Sequence, residues 1–186
     1  MDQGSHIKAG VERALIKGYP YIAIDSRCLE GNPEARYFAR DTYCIQERDG
    51  ELIASKGCPN SCSKCLIEVP YEIAGKLILD LVESRITCDF LLMWEGSGEG
   101  LYVKGDTKAY IFETIGHRIH AIVSEGEVVR RGSKIAYIST GKGEVRTVRA
   151  DAEGVIAYIY QDLTSKPEKL LFIVVGGEDA RRVRVF

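Results

Sequence analysis

The chain has 186 residues and a net charge of −2, and 45% of its residues are hydrophobic and 28% charged. This composition is typical of a globular protein with one ordinary domain or two small ones. The charge gives no reason to expect nucleic acid, no apolar run is long enough to span a membrane, and the N-terminus lacks a signal-peptide pattern, so we expect a cytoplasmic protein.

The first elements are short. Residues 7–17, IKAGVERALIK, predict a short helix. The apolar and aromatic stretch YPYIAID, residues 19–25, predicts a strand because a sequence breaker precedes it. Residues 28–35, CLEGNPEA, predict a loop.

A hairpin, a helix and a strand follow. Residues 36–55 predict a β-hairpin with its turn at Asp49-Gly50, a dipeptide that favours tight turns. Pro70 opens a predicted helix that extends to Ile86. Its apolar residues recur at helical spacing and are expected to face the core; they are Ile73, Ala74, Leu77, Ile78, Leu81 and Val82. Residues 87–94 predict an apolar strand, so the sequence predicts an α+β domain over residues 1–108.

Three of the six cysteines lie within eight residues of an irregular loop, as C-x3-C-x2-C: Cys58, Cys62 and Cys65. Thiolates this close can converge on one zinc ion or on an iron–sulfur cluster. Cys44 is the natural fourth ligand, because the predicted hairpin returns its strand beside the loop, and Cys28 and Cys88 are the alternatives. Metal binding is favoured in a reducing cytosol. A disulfide, such as Cys58 with Cys62 or Cys65, and free thiols are the open alternatives.

The spacing of apolar residues changes after about residue 108, where the helical period ends. Residues 109–176 predict an all-β domain of short strands and glycine-centred turns, and residues 177–186 a C-terminal strand or tail. This β region contains two similar halves, which begin at Gly116 and Gly154. Each half reads strand, polar turn, strand, so two facing halves can bury one shared core.

The first half carries a family resemblance. Its glycines and apolar residues resemble the signature of biotinyl and lipoyl carrier domains; they are Val123, Gly126, Glu127, Val129, Gly132, Ile135 and Ile138. Residues 150–156 resemble the segment that follows the modified lysine of those domains. The resemblance implies a barrel-sandwich hybrid of two small sheets. The whole chain also resembles an archaeal family of unknown function that has a biotinyl/lipoyl-like C-terminal domain.

Lys142 is the candidate residue for a covalently attached cofactor. In carrier domains the modified lysine sits at a hairpin tip between the two halves, and here Lys142 lies one residue early, between Gly141 and Gly143. Two glycines leave no flanking side chains for a modifying ligase to recognise. The sequence therefore favours an exposed turn lysine over attachment of biotin or lipoate.

Taken together, these patterns predict an accessory or interaction module rather than an enzyme. It would bind a protein partner through the carrier-like domain and a structural metal at Cys58, Cys62, Cys65 and Cys44. The alternative is an enzyme component that uses a cysteine-bound redox cluster or a prosthetic group on Lys142. No catalytic residue and no oligomeric state is predicted.

Overall fold

The computed structural model describes residues 20–162 and 164–186, so the helix predicted over residues 7–17 lies outside the described residues. Of the described residues, 52% are in strands and 10% in helices, and seven strands form a closed barrel. The predicted α+β N-terminal domain is therefore wrong. None of the helices in this described part is long and apolar enough to cross a membrane.

The elements follow one another closely along the chain. A 3-10 helix spans Ser26–Leu29, and the α-helices are α1 (Pro33–Tyr37) and α2 (Tyr71–Ile78). The strands are β1 (Tyr21–Asp25), β2 (Thr42–Arg48), β3 (Glu51–Lys56), β4 (Lys64–Val69), β5 (Leu79–Asp80), β6 (Arg85–Ile86), β7 (Phe90–Met93), β8 (Glu99–Val103), β9 (Thr107–Gly116), β10 (Arg118–Ala121), β11 (Val128–Val129), β12 (Lys134–Ser139), β13 (Val145–Arg149), β14 (Gly154–Asp162), β15 (Glu168–Val175) and β16 (Ala180–Val185).

The described chain forms two compact units, and each is discontinuous in sequence. The barrel unit contains residues 20–74, Phe90–Tyr102 and Arg182–Phe186, and the sheet unit contains Gly75–Asp89 and Val103–Arg181. The domain bounds predicted from the sequence, 1–108, 109–176 and 177–186, stay a prediction.

The barrel has the strand order β1-β4-β2-β3-β16-β8-β7, and it closes where β7 pairs with β1. The predicted strand over residues 19–25 is confirmed as β1, and the predicted hairpin as β2 and β3. At its turn Asp49 and Gly50 both have positive φ, +51° and +81°, as a tight hairpin turn requires. Inward-facing side chains fill the interior; they include Ala23, Ile45, Leu52, Ala54, Leu66, Leu91, Met93 and Val183.

The helix predicted from Pro70 to Ile86 is only half right. Helix α2 ends at Ile78, and β5 and β6 form a small hairpin in place of its second half. The carboxylate of Asp80 accepts hydrogen bonds from the backbone N–H groups of Val82 and Glu83, which offers the backbone an alternative to the helix. Val82 is consequently 90% exposed, so the prediction that it faces the core is wrong.

Two further differences concern short segments. The region predicted as loop over residues 28–35 contains part of the 3-10 helix and the start of α1, where the side chain of Asn32 caps the helix by accepting from the N–H of Ala35 at 3.0 Å. Strand β4 was not predicted, because its inward positions carry Lys64 and Glu68, which interrupt the apolar alternation of a strand.

The sheet unit consists of a three-stranded sheet, β10-β12-β13, and a six-stranded sheet, β11-β14-β15-β9-β6-β5. Both repeated halves form an antiparallel strand pair, β10 with β12 and β14 with β15. Side chains from both halves contribute to one hydrophobic core, whose buried members include Val129, Ile135, Ala136, Ile156, Leu170, Phe172 and Val174.

Candidate functional site: the cysteine loop and the mouth of the barrel

The cysteine loop, residues 57–63, joins two strands of the barrel that are not neighbours. Strands β3 and β4 both pair antiparallel with β2, which lies between them, so β3 and β4 run parallel to each other. Lys56 at the end of β3 lies opposite Tyr43, and Lys64 at the start of β4 lies opposite Ile45. The loop therefore crosses β2 at the level of Cys44.

Two disulfides attach this crossing loop to the strands beneath it. Cys62 of the loop bonds to Cys44 on β2, and Cys58 of the loop bonds to Cys65 on β4, with Cα–Cα distances of 5.8 and 5.7 Å. Cys44 and Cys65 lie directly opposite each other in the β2–β4 ladder, so both disulfides emerge from the same cross-strand pair. Cys44 is completely buried.

The structure thus brings together the four cysteines that the sequence predicted as a metal site. They pair as disulfides, and the open alternative of Cys58 with Cys65 is the pairing found. None of the six cysteines is a free thiol, and a sulfur in a disulfide is not the thiolate that binds zinc. Metal binding by Cys44, Cys58, Cys62 and Cys65 in a reduced chain stays a prediction.

Lys142 lies at an exposed hairpin tip between β12 and β13. The turn is closed by backbone hydrogen bonds from Thr140 to the carbonyl of Glu144 at 2.8 Å and from Gly143 to the carbonyl of Thr140 at 3.0 Å. Gly143 has φ of +83°, a conformation that favours glycine. This geometry fits a turn lysine, and the role of Lys142 as a cofactor-binding residue stays a prediction.

A polar cluster that the sequence did not predict lies at one mouth of the barrel. Glu68 on β4 lies opposite Ala23 of the barrel core, and paired residues of a ladder face the same side, so Glu68 points inward. Its side chain accepts a hydrogen bond from the hydroxyl of Tyr43 at 3.3 Å. Lys56 forms a salt bridge of 2.6 Å with Asp41 beside this pair. The available signal was a lone carboxylate within the otherwise apolar stretch LIEV.

Burial, hydrogen bonds and neighbouring charges together set the pKa values of this cluster. Burial, followed by the negative charges of Glu68 and Asp41, raises the pKa of Tyr43 to about 12, so the phenol stays a hydrogen-bond donor at neutral pH. Burial also raises the pKa of Glu68, against the opposing effects of the Tyr43 hydrogen bond and the Arg40 charge. The hydrogen bond and charge of Asp41 raise the pKa of Lys56.

Comparison with known proteins places the chain in one family. A family model described as "Uncharacterized protein conserved in archaea (DUF2118)" matches residues 34–176, and the chain belongs to this family. The chain is also similar to the uncharacterized protein MJ0859 of Methanocaldococcus jannaschii, with 24% identity over 120 residues, which cover 63% of this chain and 71% of that protein. The expected archaeal family is confirmed, and its biotinyl/lipoyl-like domain stays a prediction.

Proposed function

We propose that the protein is a non-catalytic accessory module whose cysteine loop exists in two forms. In the oxidised form two disulfides hold the loop against β2 and β4. In the reduced form the same four cysteines hold one zinc ion as thiolates. Both forms keep the loop attached to the barrel. The change between the two forms, which we call the switch, therefore alters the chemistry of the cysteines without releasing the loop.

The observation that supports this proposal is the arrangement of Cys44 and Cys65. They are opposite residues of one ladder, and each is joined to a loop cysteine. All four sulfurs consequently lie within side-chain reach of one cross-strand pair. A structural zinc ion prefers four cysteine or histidine ligands in a tetrahedron. The cross-strand pair and the cysteine loop together supply four cysteines.

The chemistry of the switch requires a reductant, which we take to be a dithiol. Each disulfide accepts two electrons and two protons from one dithiol, which is itself oxidised to a disulfide. The four thiols then bind Zn²⁺ as thiolates and release four protons. Oxidation reverses these steps and expels the metal.

The test is metal binding by the full-length protein before and after reduction with dithiothreitol. After removal of the reductant under anaerobic conditions, we expect the reduced protein to bind one zinc ion per chain, measured by native mass spectrometry and elemental analysis. The oxidised protein should bind none. Cys62→Ser removes one of the four ligands and should weaken zinc binding by more than the roughly tenfold that loss of an outer-shell partner costs. Ser61→Ala, which changes a neighbouring exposed residue of the loop, should bind zinc normally.

Two results would overturn the proposal. One is a reduced wild-type protein that binds no stoichiometric zinc. The other is a Cys62→Ser variant with the zinc affinity of wild type, because the metal would then lie elsewhere.

For the second half of the chain we propose a biotinyl/lipoyl-like domain that serves in docking to a protein partner rather than in carrying a cofactor. The exposed tip around Lys142, flanked by glycines, supports this assignment, because it offers a modifying ligase no neighbouring side chains to recognise. The corresponding measurement is the mass of denatured protein isolated from archaeal cells, because extra mass that maps to Lys142 would identify a carrier.

A further inference from the structure

A cleft opens at the barrel mouth beside the polar cluster, and it lies wholly within the barrel unit. It has a volume of about 200 Å³ and is lined by residues from β1, β4 and the start of α2. Two tyrosines, Tyr21 and Tyr71, are among its lining residues. The volume is below the range of about 300–1,000 Å³ that holds drug-sized ligands, so the cleft suits a small molecule.

Glu68 is one of the residues that line this cleft. The residue is 6% exposed, and an ionised carboxylate is costly to bury unless it is paired. The phenol of Tyr43 provides one hydrogen bond, to Oε2. The positive charge of Arg40 compensates the carboxylate in part, and a ligand that carries an ammonium group would add a direct ion pair to that compensation.

The rest of the cleft carries charges of both signs. Arg40 and Glu72 are exposed and line it. Within the described part of the chain, no ion pair or side-chain hydrogen bond engages either of them. Among the described residues, Lys56 and Asp41 also act on the charge of Glu68, and they form a salt bridge with each other. A purely cationic ligand would be repelled by Arg40, whereas a ligand with an anionic end would be attracted to it.

We propose that this cleft binds a small zwitterionic amino compound. Its ammonium group would lie against Glu68, its carboxylate would bind the guanidinium of Arg40, and the two tyrosine rings would contact the carbon chain between them. A metal ion is a poorer occupant, because the described residues contain no group of three His, Cys, Asp or Glu side chains that could hold one. This inference is independent of the cysteine loop.

The experiment compares three matched probes on the full-length, oxidised protein by chemical-shift titration. The probes are 4-aminobutyrate, butylamine, which lacks the carboxylate, and butyrate, which lacks the ammonium group. We expect saturable shifts at the cleft with 4-aminobutyrate and at least about fivefold weaker binding of either single-charge probe, since each loses a charge-assisted hydrogen bond.

Variants then assign the two charges. Glu68→Gln keeps the shape of the side chain and should weaken binding of 4-aminobutyrate at least about tenfold. Arg40→Gln changes an exposed residue, and it should weaken binding about fivefold. Glu153→Gln, an exposed glutamate of the sheet unit, is the matched control and should bind as wild type does.

The proposal fails if none of the three probes gives a saturable shift in the millimolar range. It also fails if butylamine binds as well as 4-aminobutyrate, because Arg40 would then have no role. Unchanged affinity in Arg40→Gln would overturn it even if Glu68→Gln did not fold.

Discussion

The barrel unit and the sheet unit are both mostly β, and they are stabilised in different ways. The barrel unit assembles three separate segments of the chain, carries two disulfides and has polar side chains inside its mouth. The sheet unit has a core of aliphatic and aromatic side chains and a sheet in which β14 and β15 form a local hairpin. In the barrel unit, two internal disulfides and a polar cluster thus accompany an assembly from three segments of the chain.

Removing a disulfide of the barrel unit should have the largest effect on the free energy of unfolding, and it tests this comparison most directly. The pair Cys44→Ala and Cys62→Ala opens a link with a sequence separation of 18 residues and should lower the free energy of unfolding by about 3 kcal/mol. The pair Cys58→Ala and Cys65→Ala opens a separation of 7 residues and should cost about 2.5 kcal/mol, because the shorter loop restricts the unfolded chain less. Urea denaturation without reductant measures both, and wild-type stability in both would contradict the prediction.

A smaller effect is expected from backbone crowding in the sheet unit. Gly154 has φ of +154°, and a Cβ atom there would lie 2.2 Å from the carbonyl oxygen of Val175. Gly154→Ala should therefore cost about 2 kcal/mol, measured by urea denaturation. Gly141→Ala is the control, since a Cβ atom at Gly141 would meet no atom within 4 Å. Equal stability of the two variants would show that the close approach at Gly154 relaxes freely.

The smallest effect is expected at the hairpin tip. Lys142→Ala should change the free energy of unfolding by less than about 0.5 kcal/mol, because exposed turn side chains contribute little. Wild-type protein isolated from archaeal cells and then denatured should have the mass of the unmodified polypeptide. Extra mass that maps to Lys142 would contradict the docking assignment and identify a carrier.

The sequence predicts those parts of the fold that depend on neighbours in the chain. The Asp49-Gly50 turn and the hairpin around it are local, and so is the buried strand β7, which the apolar stretch over residues 87–94 indicated. Helix α2 was extended too far because apolar residues continue at helical spacing beyond Ile78. The turn formed by Asp80 interrupts them, and its effect depends on backbone hydrogen bonds that hydrophobic spacing does not report.

The candidate sites also differ in how far they depend on neighbours in the chain. The proximity of Cys44 to the cysteine loop followed from the predicted hairpin, whereas the choice between disulfides and metal depends on the redox state of the sulfurs, and spacing alone does not specify it. Glu68 and Tyr43 were missed because they meet only when the barrel closes. That closure pairs strands from distant parts of the chain, for which no local pattern exists.

The position of β16 between β3 and β8 has a consequence for synthesis on the ribosome. Glu51 of β3 and Arg184 of β16 form an ion pair although they are 133 residues apart in sequence. At typical translation rates, the ribosome needs on the order of 10 s to synthesise the residues between β3 and β16. During that interval the unpaired backbone groups at this edge of β3 can pair with other chains. We therefore expect a nascent-chain chaperone to bind at this edge.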